Sequence, residues 1–285
     1  MLRRVVTHFS AIAAAVTALI SGAPALAQTP LRVGMIPDAG ATQVSIEQKA
    51  PLKEYLTKAI GRPVELIIPT NYNATVEALG NGSLDFAYLG GLTYVIAQQR
   101  YGVVPLVQRE SDLRFHSLFI TQTGSPIKSL ADLKGKNFAF GDIVSTSGHL
   151  MPYNALNKSG FDVEKDFKYR YTGSHPATAK AVESGTVDAG AMDETVYNAM
   201  TADGTLDKNK VRVFFTTPPF LDYVWVARKD VPADARQKFE EAFLSLQKGK
   251  DDKVLDILRG NKFVKASDTS YTELKRIAKE LKLAQ

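Results

Sequence analysis

Ala78-Leu-Gly-Asn-Gly-Ser-Leu-Asp-Phe-Ala87 is echoed later in the chain by Ala181-Val-Glu-Ser-Gly-Thr-Val-Asp-Ala-Gly190. Each stretch reads as the end of a helix, a glycine stop, and the entry to a strand marked by an aspartate. A helix running into a strand is half of an α/β unit. Finding the same unit twice predicts a duplicated α/β architecture: two similar lobes with a ligand cleft between them.

The flanking sequence extends both copies. Leu31–Ile36, Val64–Pro69 and Leu84–Leu89 read as strands, alternating with helices over Gln43–Ile60, Asn73–Gly80 and Leu92–Tyr101. Further strands are predicted near Val103–Arg109 and Phe115–Thr121. The pattern then restarts with strand Phe138–Phe140, helix Gly148–Lys158, strand Lys168–Tyr171, helix Ala177–Ser184 and strand Val187–Ala191. Such alternation predicts parallel sheets covered by helices on both faces. Val211–Thr216 and Tyr223–Arg228 read as strands of a return path, followed by helices over Pro232–Gln247, Asp251–Leu258 and Tyr271–Leu281. Crossovers are expected near Thr121–Gly124 and Thr216–Phe220. The expected domains are a signal peptide over residues 1–27, one lobe from 28–122 plus 221–285, and a second lobe over 123–220.

The start of the chain fixes the compartment. Arg3 and Arg4 precede an apolar stretch from Phe9 to Ile20, and Ala25-Leu-Ala27 supplies a small-x-small cleavage pattern before Gln28. That is a Sec-type secretory signal peptide, too short to span a bilayer. With no cysteine, thiolate metal sites, cysteine nucleophiles and a lipoprotein anchor are excluded, and the periplasm is the expected destination. The net charge of +5 comes from interspersed basic and acidic residues. It suits a small anionic ligand better than nucleic acid.

Asp142-Ile-Val-Ser145-Thr146-Ser147-Gly148-His149 follows the strand-like Asn137-Phe-Ala-Phe-Gly141 and opens a helix. Consecutive hydroxyls at a strand-to-helix turn, beside the free N–H groups and positive end of the helix dipole, make a cradle for a tetrahedral oxyanion. One hydroxyl would be no more than a helix cap; three exceed what capping needs.

These stretches, with Leu31-Arg-Val-Gly-Met-Ile-Pro37, Asp85-Phe-Ala-Tyr-Leu-Gly-Gly-Leu-Thr-Tyr94, Ser129-Leu-Ala-Asp-Leu-Lys-Gly-Lys136, Gly173-Ser-His175 and Asp222-Tyr-Val-Trp-Val226, carry a resemblance across the mature chain. The sequence resembles the periplasmic substrate-binding proteins of ABC importers for phosphonate, phosphite and phosphate, within the type II binding-protein fold. The Ser-Thr-Ser-Gly turn with Gly-Ser-His is the specific part; the Ser-Leu-Ala-Asp-Leu-Lys-Gly-Lys segment is shared more widely. The chain departs from the pattern at Tyr88-Leu-Gly-Gly91, where relatives often carry Trp-Phe-Gly-Pro, and at Pro176, where they carry aspartate.

The resemblance places Ser145, Thr146 and Ser147 on phosphoryl oxygens, with Tyr94, Tyr72 and His175 as further donors. Tyr72 reads equally as a packing aromatic. His116 and His149 read as structural. Asp193 and Glu194 follow a strand on the edge where α/β proteins bind ligands, and Asp222 with Tyr223 lies near the second crossover. A carboxylate repels an ionised phosphoryl group, so these acids would pair with a ligand ammonium or accept from a P–OH group. Their alternative role is helix capping.

No Gly-x-Ser-x-Gly elbow, His-Glu-x-x-His metal spacing or Gly-x-x-x-x-Gly-Lys-[Ser/Thr] loop occurs. An enzyme, a metal and a cofactor are therefore not expected. The resemblance implies a monomer that traps an organophosphonate and delivers it to a membrane permease. Phosphite, phosphate or a sulfonate are the alternative ligands, and a signalling receptor is the alternative partner.

Overall fold

A computed structural model of the chain describes residues 29–37 and 46–283; the signal peptide and the first part of the helix expected over Gln43–Ile60 lie outside them. The first sheet is built by β1 (Leu31–Met35), β2 (Val64–Ile67), β3 (Phe86–Leu89), β4 (Val104–Arg109), β10 (Val224–Ala227) and β11 (Phe263–Lys265), in the order β11-β4-β10-β3-β1-β2. The second sheet holds β5 (Ser117–Gln122), β6 (Asn137–Phe140), β7 (Lys168–Tyr171), β8 (Ala189–Asp193) and β9 (Val211–Thr216), in the order β7-β6-β8-β5-β9. Around them pack α1 (Ala50–Ile60), α2 (Tyr72–Gly80), α3 (Gly91–Tyr101), α4 (Met151–Lys158), α5 (Val163–Asp166), α6 (His175–Glu183), α7 (Glu194–Ala202), α8 (Ala233–Leu244), α9 (Asp252–Leu258) and α10 (Thr272–Glu280). No helix among the described residues is long and apolar enough to cross a membrane.

The sheets are mixed rather than parallel. Each has a parallel trio (β2-β1-β3 and β7-β6-β8), and each trio is continued by an antiparallel strand, β10 or β5. Helical crossovers enforce the parallel pairs, whereas the strands that change lobe arrive from the opposite direction. The predicted division at residue 122 shifts as a result. Ser117–Gln122 pairs with β8 and β9, so it belongs to the second sheet and not to the first lobe. The first crossover is Glu110–His116, ahead of the expected Thr121–Gly124. It meets the second through a bridge between Phe115 and Phe220.

The repeat is structural in detail. Gly82 and Gly185 both take the left-handed conformation, at φ of 80° and 74°, that a side chain would resist. Asp85 then accepts from the Arg32 backbone N–H at 2.9 Å, and Asp188 from that of Asn137 at 2.8 Å. Each aspartate thus ties the entry of one strand to the start of its neighbour.

In the second lobe, strand alternation sends Leu118, Ile120, Ala139 and Met192 to one core and Phe119, Phe138, Phe140 and Ala191 to the other. In the first lobe one larger core surrounds the sheet, with Phe86 stacked on Phe239 at 4.1 Å. Helix α7 and strand β11 were not foreseen. Strand β8 runs two residues further than expected, which moves Asp193 from beyond the strand to its last position.

Candidate functional site

Ser145, Thr146 and Ser147 come together at the turn after β6, each about 1% exposed. The turn is a single π-helical turn over Thr146–Leu150, not the start of a regular α-helix. Ser145 caps it, its hydroxyl accepting from the Gly148 N–H at 3.0 Å. Gly148 is required here: a Cβ would meet Ser145 Oγ at 2.9 Å and the His175 ring at 3.0 Å. His149 braces the turn from outside, donating from Nδ1 to the Ile143 carbonyl at 2.6 Å and accepting from the Tyr171 hydroxyl at Nε2. Burial pushes its pKa down to about 4, so the ring is neutral and structural.

His175 opens helix α6 and is fully buried against the cradle. Its Nδ1 accepts from the Asp193 N–H at 3.2 Å, which leaves the ring proton on Nε2. A ring held this way presents Nε2–H as a donor, as an oxyanion requires.

From the first lobe, helices α2 and α3 point their N-termini at the same turn. The Gly91 N–H donates to Asp222 Oδ1 at 2.9 Å, and the Leu92 N–H donates to Thr146 Oγ1 at 2.8 Å. A Cβ at Gly90 would lie 3.2 Å from Thr146 Oγ1, a close contact that a larger side chain would tighten. Protein acceptors thus occupy these N–H groups. Ser147 Oγ and Asp222 Oδ2 are buried and have no hydrogen-bond partner among the described residues.

Burial pushes Asp222 up to about 8; the Gly91 N–H and the Thr146 hydroxyl oppose this, while the Asp193 and Asp112 charges add to it. At neutral pH the carboxyl is therefore mostly protonated, and one proton is available between Oδ2 and a ligand oxygen.

Asp193 takes the capping role that stood as its alternative. Its Oδ1 caps helix α7, accepting from the Thr195 N–H, the Thr195 hydroxyl and the Val196 N–H at 2.5–2.9 Å. Its Oδ2 accepts from the Tyr223 hydroxyl at 2.6 Å, a bond between lobes. Burial opposes its ionisation, but the His175 ring, Arg259, Tyr223 and Arg109 outweigh it and hold the carboxyl below the usual range. Glu194 points elsewhere, onto His116. Neither acid is available to a ligand ammonium.

Tyr72 is buried at the start of α2, as a donor in this cleft must be. Tyr94, expected as a donor to the ligand, donates its hydroxyl to Asp268 at 2.5 Å and packs its ring on Tyr271 in the core of the first lobe. One feature was missed in the sequence. Arg109, the last residue of β4, grips Asp112 through two bonds of 2.9 and 2.5 Å and lies 5.1 Å over the Tyr223 ring. An Arg and an Asp three residues apart gave no sign that both are buried. Among the described residues, no group of three or more His, Asp or Glu side chains is arranged to hold a metal.

Two lobes closed on a buried oxyanion cradle define a periplasmic solute-binding protein. The model of the family described as "ABC transporter, phosphonate, periplasmic substrate-binding protein" matches residues 33–271, and the chain belongs to that family. It is a binding protein and not an enzyme. It is 31% identical over 270 residues to the probable ABC transporter phosphite-binding protein PhnD1 of Prochlorococcus marinus, covering 88% of this chain and 89% of that one. The structure of PhnD1 from Prochlorococcus marinus in complex with methylphosphonate superposes with a TM-score of 0.82 at 30% identity, covering 88% of this chain and 98% of the chain in that structure. The phosphonates-binding periplasmic protein of Escherichia coli is 25% identical over 242 residues, covering 81% of this chain and 71% of that one.

Proposed function

We propose that the ligand is a phosphorus oxyanion with a small apolar substituent, methylphosphonate or phosphite, and not an aminoalkylphosphonate. The observation that carries this is the occupancy of the acids. Asp193 is fully engaged by the α7 cap and Tyr223, and Glu194 by His116. Asp222 is left to share a proton with the anion, while Ser147 and His175 supply donors. The name and bound ligand of the P. marinus relative support the same class. In this reading the chain is exported with cleavage after Ala27, works as a monomer, and hands its ligand to the permease of an ABC importer. The ligand sites are Tyr72, Ser145, Thr146, Ser147, His175 and Asp222, with Tyr223 positioned by Asp193.

Calorimetry with methylphosphonate, phosphite, phosphate, ethanesulfonate and 2-aminoethylphosphonate tests the reading. Methylphosphonate or phosphite should bind tightest, with the amine at least tenfold weaker, a difference of about 1.4 kcal/mol. Tighter binding of the amine would overturn it. Intact mass of the periplasmic protein checks the cleavage site.

A further inference from the structure

The turn after β6 does more than hold the hydroxyls. It belongs to the second lobe by sequence and by its strand, yet Leu150 is part of the first lobe's core, with Val144 and Met151 packed against that core. The polar contacts agree. The Thr93 hydroxyl donates to the Val144 carbonyl at 3.1 Å, and the Leu92 N–H donates to Thr146 at 2.8 Å. Asp142 is 8% exposed and accepts from its own Val144 N–H at 2.9 Å and from the backbone N–H of Tyr72 across the cleft. One short segment therefore touches the first turns of both α2 and α3 and inserts apolar side chains beside them. These contacts exist only when the lobes are together.

We propose that Asp142, Val144 and Thr93 form a latch that sets affinity by stabilising the closed arrangement, without contributing to the choice of ligand. Asp142 and Thr93 bond to protein groups on the opposite lobe. Each adds a term to closure that is the same whatever anion is bound. A ligand that binds between closed lobes benefits from every contact formed in that state alone, so removing one weakens all ligands by a common factor. The latch also slows release, because the segment must leave the first lobe's core before the anion can escape.

The inference rests on the reading that methylphosphonate and phosphite enter this site. The test uses Thr93→Val and Asp142→Asn, with Val144→Ala as a third variant should Asp142→Asn fail to fold; a cooperative melting transition checks folding. Thr93→Val keeps the side-chain shape and removes only the donor. Each variant should raise the dissociation constants for both anions by the same factor, about tenfold, the scale of one lost hydrogen bond. Release of radiolabelled methylphosphonate should accelerate by a similar factor, with little change in the association rate. Unchanged affinity and release in Thr93→Val would overturn the latch. So would a changed ratio of phosphite to methylphosphonate affinity, which would place these residues on the ligand. Should wild type bind neither anion, the ligand reading fails. Small-angle scattering of the ligand-free proteins then decides the latch: a larger radius of gyration in the variants supports it, and an equal radius overturns it.

Discussion

Asp85 and Asp188 occupy the same place in their lobes, and the lobes differ in what surrounds them. The Asp188 carboxylate accepts from Asn137, while Asp85 also pairs with the guanidinium groups of Arg32 and Arg228 at 3.1 and 3.0 Å. The difference widens at the cleft. The second lobe places hydroxyls and an imidazole at the end of β6 and the start of α6. The first places a phenol and a buried acid beside them. Duplication accounts for the backbone, and the division of labour lies in the turns. In the proposed reading an anion is held by donors on one side, and its proton is read on the other.

The largest test of that division is Asp193, an acid on the hydroxyl-bearing lobe. The structure makes it a cap and a partner for Tyr223 rather than a ligand group. Asp193→Ala should therefore cost about 3 kcal/mol of folding stability, from a lost helix cap and lost hydrogen bonds to a buried charge. Urea unfolding measures this. A variant of undiminished stability that instead gains affinity for anions over amines would return Asp193 to the ligand's surroundings.

Next is Ser147, whose hydroxyl is buried in the cradle. Ser147→Ala should weaken methylphosphonate binding by about 2 kcal/mol, roughly thirtyfold, the scale of a hydrogen bond to a charged group. Stability should hardly change, since Ser145 and not Ser147 caps the turn. Equal affinity in calorimetry would mean that the anion sits elsewhere.

How much of this could be read from the chain follows from which features are local. The glycine stop and strand-entry aspartate are turn chemistry written within ten residues, and both copies were legible. The Ser-Thr-Ser-Gly turn was legible for the same reason. Capping was one of two readings of Asp193, and the sequence did not decide between them because Glu194–Ala202 mixes β-branched and polar residues without a clear helical period. Tyr94 follows the Gly-Gly turn in sequence as a ligand donor would, but packing of α3 against Tyr271 and Asp268 turned its ring away from the cradle. The lobe boundary shifted because sheet membership is decided by pairing partners distant in sequence, and Phe115–Thr121 reads identically as a strand of either sheet.

The proton-reading side of the comparison has its own test. In the folded chain the Asp222 carboxyl keeps its proton up to about pH 8. In the unfolded chain it loses it near pH 3.9. Between those values the native state binds the extra proton, so this group's contribution to stability falls as pH rises through that window. Asn at 222 resembles the neutral acid and does not titrate. The melting temperature of wild type, relative to Asp222→Asn and without ligand, should therefore decline from pH 4 towards pH 8. A constant difference would mean that Asp222 is ionised in the folded protein, and the two lobes would then meet the anion with a full negative charge.

The smallest expected effect belongs to Tyr94. Its hydroxyl bonds Asp268, which Lys275 also holds at 2.6 Å, at a partly exposed edge of the first lobe. Tyr94→Phe keeps the ring on Tyr271 and removes one hydrogen bond, so stability should fall by about 1 kcal/mol or less. Affinity for methylphosphonate should stay within twofold of wild type, because no atom of the cradle loses a partner. The contrast with Tyr72→Phe sharpens the point. Tyr72 starts the helix whose N-terminus meets Asp142, and loss of its hydroxyl should weaken binding by about tenfold. Matched losses of affinity in the two phenylalanine variants would place both phenols on the ligand and enlarge the first lobe's share of the site. A loss confined to Tyr72→Phe leaves the first lobe contributing one phenol and one acid.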